Sequence, residues 1–244
     1  MTVRLDVYLT ERALAPSRRQ AADMIRAGRV TVDGIVALKP SRLVSPETEI
    51  SVVAEQAYVS RGGQKLEHAL DRFGIDPGGL SVLDAGASTG GFTECLLRRG
   101  AKRVWAVDVG HGQLAQSLRD DPRVTVMEGV NARELTPERL GGLAELATVD
   151  VSFISQKLIW PALIGCLTEQ AGIVSLIKPQ FEAGRAAVGK GGIVRDPKAR
   201  RRVVAELSAW GESLGLTVCA VMESPILGGD GNQEFLMFLR KGSP

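Results

Sequence analysis

From residue 80 onward the chain repeats one pattern, a short run of apolar and β-branched residues followed by a stretch of helical period. This alternation predicts strands at 80–84, 103–107, 123–127, 146–150, 172–177, 216–222 and 234–240. Helices are expected at 91–100, 111–119, 156–168 and 198–214. Strands separated by helices run parallel, because each helix carries the chain back across a sheet face. The expected architecture is α/β, a seven-stranded, mostly parallel sheet covered on both sides. Only the last two strands, joined by "SPILGGDGNQ", read as an antiparallel hairpin at the sheet edge.

The first of these strands runs into "LDAGASTGGF" at 83–92, a glycine-rich turn. Such turns sit under dinucleotides, phosphates or S-adenosylmethionine. A nicotinamide dinucleotide needs G-x-G-x-x-G, in which the second glycine lets the backbone approach a pyrophosphate. In Gly86-Ala87-Ser88-Thr89-Gly90-Gly91 that position is Ser88. S-adenosylmethionine has no pyrophosphate and does not need the close approach, so it is the expected cofactor. Asp84 precedes the first glycine by two residues, and Asp108 ends the next strand, 22 residues after Gly86. Asp108 is placed to accept from both ribose hydroxyls. Its spacing suits NAD equally, so the glycine pattern carries the choice. A second stretch, "GRAAVGKGG" at 184–192, nearly matches a P-loop, but Gly191 has no hydroxyl for magnesium and no clear helix follows Lys190. A basic loop carrying Arg185, Lys190, Arg195 and Lys198 is expected there instead.

The first 60 residues are built differently. "RLDVYLTERAL" at 4–14 sets Leu5, Tyr8, Leu9 and Leu14 at helical spacing. "APSRRQAADMIRAG" offers Ser17 as the N-cap of a second helix and Gly28 as its stop. Two short strands flank an Asp33-Gly34 turn, and "ETEISVV" alternates as another strand. From Arg12 to Arg42 there are seven basic residues (Arg12, Arg18, Arg19, Arg26, Arg29, Lys39, Arg42) against two acidic ones, Asp23 and Asp33. The chain as a whole is nearly balanced, with 30 Lys and Arg against 28 Asp and Glu. The local excess can neutralise phosphates or form a solvated helix face, and charge alone leaves both open. Residues 1–59 are thus expected to form a small α+β module and 60–244 the α/β domain, with "AEQAY" at 54–58 as the junction.

The order of elements in the module, with Ser17-Arg18, Ala21, Ile25, Gly28, Val30, Val32, Gly34 and "KPS" at 39–41, resembles the S-four-like RNA-binding domain. The resemblance implies that the helix carrying Arg18, Arg19 and Arg26 lies on RNA, where guanidinium forks match phosphate oxygens. Lys39, Arg42, Arg61, Arg185 and Lys190 are further expected RNA contacts. Cys95, Cys166 and Cys219 are single and widely spaced, so neither a metal site nor a disulfide framework is expected, and the cytoplasm fits. The N-terminal stretch has no signal-peptide core and no run of 18 apolar residues occurs, so no membrane partner is expected.

Four polar residues stand where an apolar fold would not want them. Lys65 lies in the helix "SRGGQKLEHAL", Asp150 ends "LATVDVSF", Lys178 ends "GIVSLIKPQ" and Glu234 opens "QEFLMFLR". Any one alone reads as an ordinary ion-pairing residue. Together they resemble the Lys-Asp-Lys-Glu tetrad of the FtsJ-like ribose 2′-O-methyltransferases. With "YVSRGGQKLEHAL", "LDAGASTGGFTECLLRRGA", "VDVSFIS", "LIKPQFEAGR", "GKGGIVRDP" and "GNQEFLMFL", the full chain is similar to the TlyA, or haemolysin A-like, family of rRNA 2′-O-methyltransferases.

That resemblance implies a Rossmann-like methyltransferase that uses S-adenosylmethionine to methylate cytidine ribose on ribosomal RNA or ribosomal subunits. It implies Lys65, Asp150, Lys178 and Glu234 as catalytic. It places the cofactor loop at Gly86, Ala87, Ser88, Gly90, Gly91 and Phe92, with Asp84 beside it and Asp108 at the ribose. Asn131 falls near the adenine, where the family often carries Asp. Shorter family members are associated with large-subunit rRNA alone. This chain resembles them, so the large subunit is the expected substrate and the small subunit a poor one.

Methylation requires the weakly acidic 2′-hydroxyl to lose its proton, and Lys178 is the expected base. A free lysine, near pKa ~10.4, is protonated at neutral pH. A neighbouring Lys65 ammonium and partial burial would lower that value. Asp150 would orient Lys178, and Glu234 would hold Lys65. No metal is expected, because the sulfonium is already activated. His68, on a helix surface, and His111, at a helix start, receive no role. Two rival classes remain: a cytolysin, which the missing signal and complete tetrad oppose, and a non-catalytic RNA-binding protein, which leaves the glycine loop and tetrad idle.

Overall fold

The computed structural model describes residues 2–26, 28–52 and 58–242, so residues 54–57 of the expected junction lie outside the described residues. The chain divides into two compact units, Met1–Gln56 and Ala57–Pro244.

In the first unit β1 (Val3–Arg4) leads into α1 (Leu5–Glu11), followed by α2 (Arg18–Arg26), β2 (Val30–Val32), β3 (Ile35–Val36), β4 (Leu43–Val44) and β5 (Ile50–Val52). β2 is central in an antiparallel β3-β2-β5 sheet, and β1 pairs with β4. Residues four apart share a helix face. Leu5 and Leu9 of α1 and Ala21 and Ile25 of α2 therefore meet Val30 and Val32 in one core. Ser17 caps α2, accepting from the Gln20 N–H at 3.3 Å and donating to its side chain at 3.1 Å. α1 is shorter than expected. Ala13, at φ 55°, turns the chain out of the helix, and Leu14 is exposed rather than on the apolar face.

Buried Asp6 anchors this unit. It accepts from Arg4 at 2.8 Å and from Arg18 at 3.2 Å, and its Oδ1 accepts from the Val7 N–H at 3.0 Å. The Arg4 bond, aided by Arg18 and opposed by burial, holds the carboxyl at about 2 rather than 3.8.

The second unit contains α3 (Gly62–Phe73), β6 (Ser81–Ala85), α4 (Gly91–Arg98), β7 (Arg103–Asp108), α5 (Gln116–Arg119), β8 (Val124–Glu128) and α6 (Pro137–Leu140). After these come β9 (Ala144–Val149), α7 (Trp160–Gly165), β10 (Leu167–Ile177), α8 (Pro179–Glu182), α9 (Pro197–Ser213), β11 (Leu216–Glu223) and β12 (Phe235–Lys241). The seven-stranded sheet has the order β11-β12-β10-β9-β6-β7-β8. β12 alone is antiparallel to its neighbours, and β11 takes the edge. Both faces are buried, so neighbouring residues feed different cores. Val82 and Val104 pack with Leu66 and Leu96, whereas Leu83 and Trp105 belong with Trp160 and Leu207. The order in which strands are added reverses between the parallel neighbours β6 and β9, and their C-terminal ends form the switch point where open α/β sheets hold ligands.

Two expected helices are largely replaced. The 111–119 stretch keeps only α5, because Glu128 accepts from the N–H groups of Gly112 (2.8 Å), Gln113 (3.0 Å) and Leu114 (3.3 Å), holding them in a loop. His111 packs on Gly129 instead of starting a helix. The 156–168 stretch is one 3-10 turn plus α7, and β10 begins five residues before the expected 172. The Cys166 carbonyl accepts from the Ala144 N–H at 2.9 Å, and Leu167 pairs with Ala144, so sheet pairing takes the segment from the helix.

Asp6 yields a test. Its folded pKa lies below the unfolded value, so its stabilisation is complete above 3.8 and is lost as pH falls toward about 2. Asp6→Asn should speed amide exchange in α1 at neutral pH. The gap from the parent should narrow as pH falls through that window. Equal protection at neutral pH counts against the anchor.

Candidate active site

The site begins where β6 ends. Gly86, at φ 89°, lies so close to the Asp150 carbonyl that a Cβ would collide with it. That contact brings the two strand ends of the switch point together. Gly90, at φ 100°, makes the second sharp bend, packed on Leu118. Ser88, where a dinucleotide site has glycine, adopts φ 48°. Its N–H donates to Asp108 Oδ2 at 2.8 Å, and Gly110 donates to Oδ1 at 2.7 Å. Two backbone donors thus orient the Asp108 carboxylate, and each oxygen can still accept a further hydrogen bond.

Asp84, expected beside the cofactor, is buried beneath the loop and reaches neither cavity. Its oxygens accept from Thr93 Oγ1 at 2.6 Å and Thr148 Oγ1 at 2.8 Å, tying α4 and β9 to β6. Burial pushes this carboxyl up to about 6, against the opposing pull of the two threonine bonds.

Above the loop lies a cleft of about 460 Å³, lined by Gly86, Ser88, Asp108, Gln113, Asn131 and Asp150 with an apolar wall of Val107, Val130 and Ile159. It continues into a smaller cavity of about 240 Å³ lined by Lys65, Ala87, Gly91, Phe92, Lys178 and Glu234. Gly86, Ser88, Asp150 and Ser152 border both. The Asn131 side-chain Oδ1 is engaged locally, accepting from the Arg133 N–H at 3.1 Å.

The four tetrad residues come together as two ion pairs. Lys178 Nζ is 2.6 Å from Asp150 Oδ1 and donates to Ser152 Oγ at 2.7 Å. Lys65 donates to Glu234, and both are buried, at 7% and 2% exposure. The Lys65 charge, expected to act on Lys178, is therefore balanced by its own carboxylate. Sequence reasoning missed Ser152, Gln113 and Phe153. Phe153 sits at φ 63° with 91% of its surface exposed, its ring 4.9 Å from that of Phe181. Glu182 fixes the adjoining loop by accepting from Ser155 Oγ at 2.6 Å and Gln156 N at 2.8 Å. An aromatic among serines directly after the Asp150 strand was the available signal.

The expected RNA contacts fall into two sets. In the first unit Arg18, Arg19, Arg26 and Lys39 are exposed and Arg42 is half-buried. Arg18 is partly committed to Asp6, and Arg26 to Asp23 at 3.0 Å. In the second unit Arg61 donates to the Leu227 carbonyl, and Arg185 and Lys190 are exposed after α8. The "GRAAVGKGG" stretch is a short turn closed by Gly189 N–H to Ile193 O at 3.0 Å, with α9 beginning only at Pro197. It lacks the helix directly after Lys190 that a P-loop requires.

The raised Asp84 value makes stability depend on pH. Between 3.8 and about 6 the native state binds more protons than the unfolded one, so stability falls as pH rises through that window. In Asp84→Asn this component should vanish. Thermal melts followed by fluorescence of Trp105, Trp160 and Trp210 check it, and an unchanged slope refutes the assignment.

A family model described as FtsJ-like methyltransferase matches residues 58–241, and one described as S4 domain matches residues 3–50. The 16S/23S rRNA (cytidine-2'-O)-methyltransferase TlyA of Mycobacterium tuberculosis is 52% identical, covering 97% of this chain and 89% of the relative. The 23S rRNA (cytidine-2'-O)-methyltransferase TlyA of Campylobacter jejuni is 30% identical, covering 98% and 100%. A solved structure from Streptococcus thermophilus, described as a hemolysin, is 43% identical with a TM-score of 0.78, covering 99% of this chain and 89% of that one. A methyltransferase structure from Listeria monocytogenes, at 17% identity and a TM-score of 0.55 over 75% of this chain and 100% of that one, shares the fold. The similarity runs through both units and far exceeds a shared fold, and the chain belongs to the TlyA family of FtsJ-like methyltransferases.

Proposed function

We propose that the protein transfers a methyl group from S-adenosylmethionine to the 2′-hydroxyl of a cytidine ribose in ribosomal RNA. The observation that carries this reading is that two lysine–carboxylate pairs lie beside a glycine-loop cleft, with Gly86, Ser88, Asp150 and Ser152 bordering both cavities. The cleft fits the cofactor chemically. Asp108 offers a carboxylate for two ribose hydroxyls, Val107, Val130 and Ile159 an apolar wall for a base, and Asn131 an amide for its edge. When bound, S-adenosylmethionine supplies an electrophilic methyl on a positively charged sulfur.

The rest is the work of the chain's own groups. Asp150 borders both cavities and pairs with Lys178, so its charge would also attract a sulfonium bound in the cleft. Lys178 Nζ, aimed by Asp150 and Ser152, takes the proton of the 2′-hydroxyl after giving up its own to solvent, because only the neutral amine has a lone pair to accept it. Lys65, held by Glu234, places its ammonium where the oxygen gains negative charge. No covalent intermediate is required, so holding hydroxyl and methyl in line supplies much of the acceleration.

Residues 1–59 choose the RNA and residues 60–244 perform the chemistry, with Arg18, Arg19, Arg26 and Lys39 meeting phosphates in the first part. The large ribosomal subunit is the proposed substrate, because 23S rRNA occurs in the names of both relatives. An rRNA substrate also makes the cytoplasm the proposed location. Among the described residues no helix is long and apolar enough to cross a membrane.

Transfer of a tritiated methyl group to separately purified ribosomal subunits tests the reading. Lys178→Ala should lower kcat by about 10²–10⁴-fold, the usual worth of a general base, with cofactor affinity retained. Asp108→Ala should instead weaken the cofactor in calorimetry. Removal of residues 1–55 should spare cofactor binding and abolish RNA methylation. An active Lys178→Ala protein sinks the base assignment, and labelling confined to the small subunit sinks the choice of substrate.

A further inference from the structure

One buried polar side chain outside the tetrad is bonded in a way the proposed chemistry does not use. Asn232 is 1% exposed. Its Oδ1 accepts from the Val194 N–H at 2.9 Å, and its Nδ2 donates to the Gly192 carbonyl at 2.9 Å. The carboxamide thus copies one rung of a β-ladder, gripping the backbone of the loop that follows Lys190. Val194 is itself buried, so the loop is pinned by an apolar peg and an amide clamp side by side. Arg185, Lys190 and Arg195 of this loop remain exposed.

The opposite side of the same segment faces the cavity. Asn232 accepts from the Gly228 N–H at 2.8 Å, closing a turn. A Cβ on Gly228 would strike the Glu234 carboxylate, and Gly229 lines the cavity with Lys65 and Glu234. Gln233 alone therefore separates a side chain that holds the basic loop from one that holds Lys65. The turn before Asn232 is closed by its own backbone bonds, so the two side chains leave one short, fixed segment on opposite sides.

We propose that Asn232 is a positioning residue that fixes Arg185 and Lys190 in register with the Lys65–Glu234 pair, so that the phosphates those cations bind place the target ribose over the cavity. This rests on the reading of the protein as an RNA methyltransferase and of the loop as an RNA contact. An exposed loop without the clamp would keep its charges and lose their register. The effect should fall on recognition of the RNA rather than on the cofactor or the chemical step.

Four proteins test it on large ribosomal subunits lacking the modification: the parent, Asn232→Asp, the Arg185→Ala/Lys190→Ala pair, and the combination of all three changes. Aspartate still accepts from Val194 but turns an oxygen toward the Gly192 carbonyl. Asn232→Asp should raise KM for the subunit about tenfold, with kcat and cofactor affinity near parental, the signature of lost binding shared by ground and transition states. Amide exchange at Gly192 and Val194 should quicken. The combined variant should be no worse than the loop pair, because Asn232 acts through those cations and coupled sites are not additive. An unchanged KM, an additive loss in the combined variant, or a fall in kcat or cofactor affinity with KM unmoved overturns the proposal. If the loop pair alone leaves KM at the parental value while the parent methylates the subunit, the loop's RNA role fails whatever Asn232 does. Should Asn232→Asp not fold, Asn232→Ser, which removes the donor to Gly192, carries the same expectations.

Discussion

Lys65 and Glu234 lie 169 residues apart, at the beginning and end of the catalytic unit, yet their side chains meet in its interior. Charges removed from water to this degree are tolerated only when each neutralises the other. Deleting one partner of such a pair leaves an uncompensated buried charge, at a cost of about 3–5 kcal/mol. The pair therefore closes the fold as well as furnishing the site. It fixes α3 against the start of β12, the one antiparallel strand of the interior, and so fixes which helix face looks across the glycine loop. The glycines at 228 and 86 serve this closure, since each stands where a Cβ would strike a group of the tetrad, the Glu234 carboxylate or the Asp150 carbonyl.

A second layer of constraint lies beneath the loop. Asp84 binds hydroxyls from α4 and β9 while sitting on β6, so three elements of the switch point share one buried carboxyl. The loop above it is free to present backbone and small side chains to a ligand because its supports are elsewhere. Glu128 does the same for the opposite wall, holding residues 112–114 as a loop beside the cleft. Rigid strands thus carry the acidic groups, and turns carry the surfaces that meet substrate, a division that suits a reaction governed by alignment.

The cations proposed to meet RNA follow a different rule. Cations on α2 and on the loop after α8 are exposed and cost little to present, but several are steered by buried acceptors or amides, Arg18 by Asp6 and the loop by Asn232. Phosphate recognition needs charge at the right place rather than charge alone, and buried anchors provide the place.

The sequence by itself determined the two-part organisation, the seven strands, the turn at Gly86–Phe92 and the polar residues at the strand ends. These signals are local: a period of two or 3.6, a glycine where φ must be positive, a carboxylate or lysine at a strand end. It did not determine that Asp84 lies under the loop, that residues 111–115 are not helical, or that β10 starts at Leu167. Each of those was decided by a partner far away in the chain: Thr148 for Asp84, Glu128 for the 112–114 amides, and Ala144 for Cys166 and Leu167. Local periodicity carries no information about which distant donor or acceptor will compete for a backbone group or a charge. Only the folded sheet brings those groups within hydrogen-bonding reach, and there burial makes the competition strong enough to override the local preference.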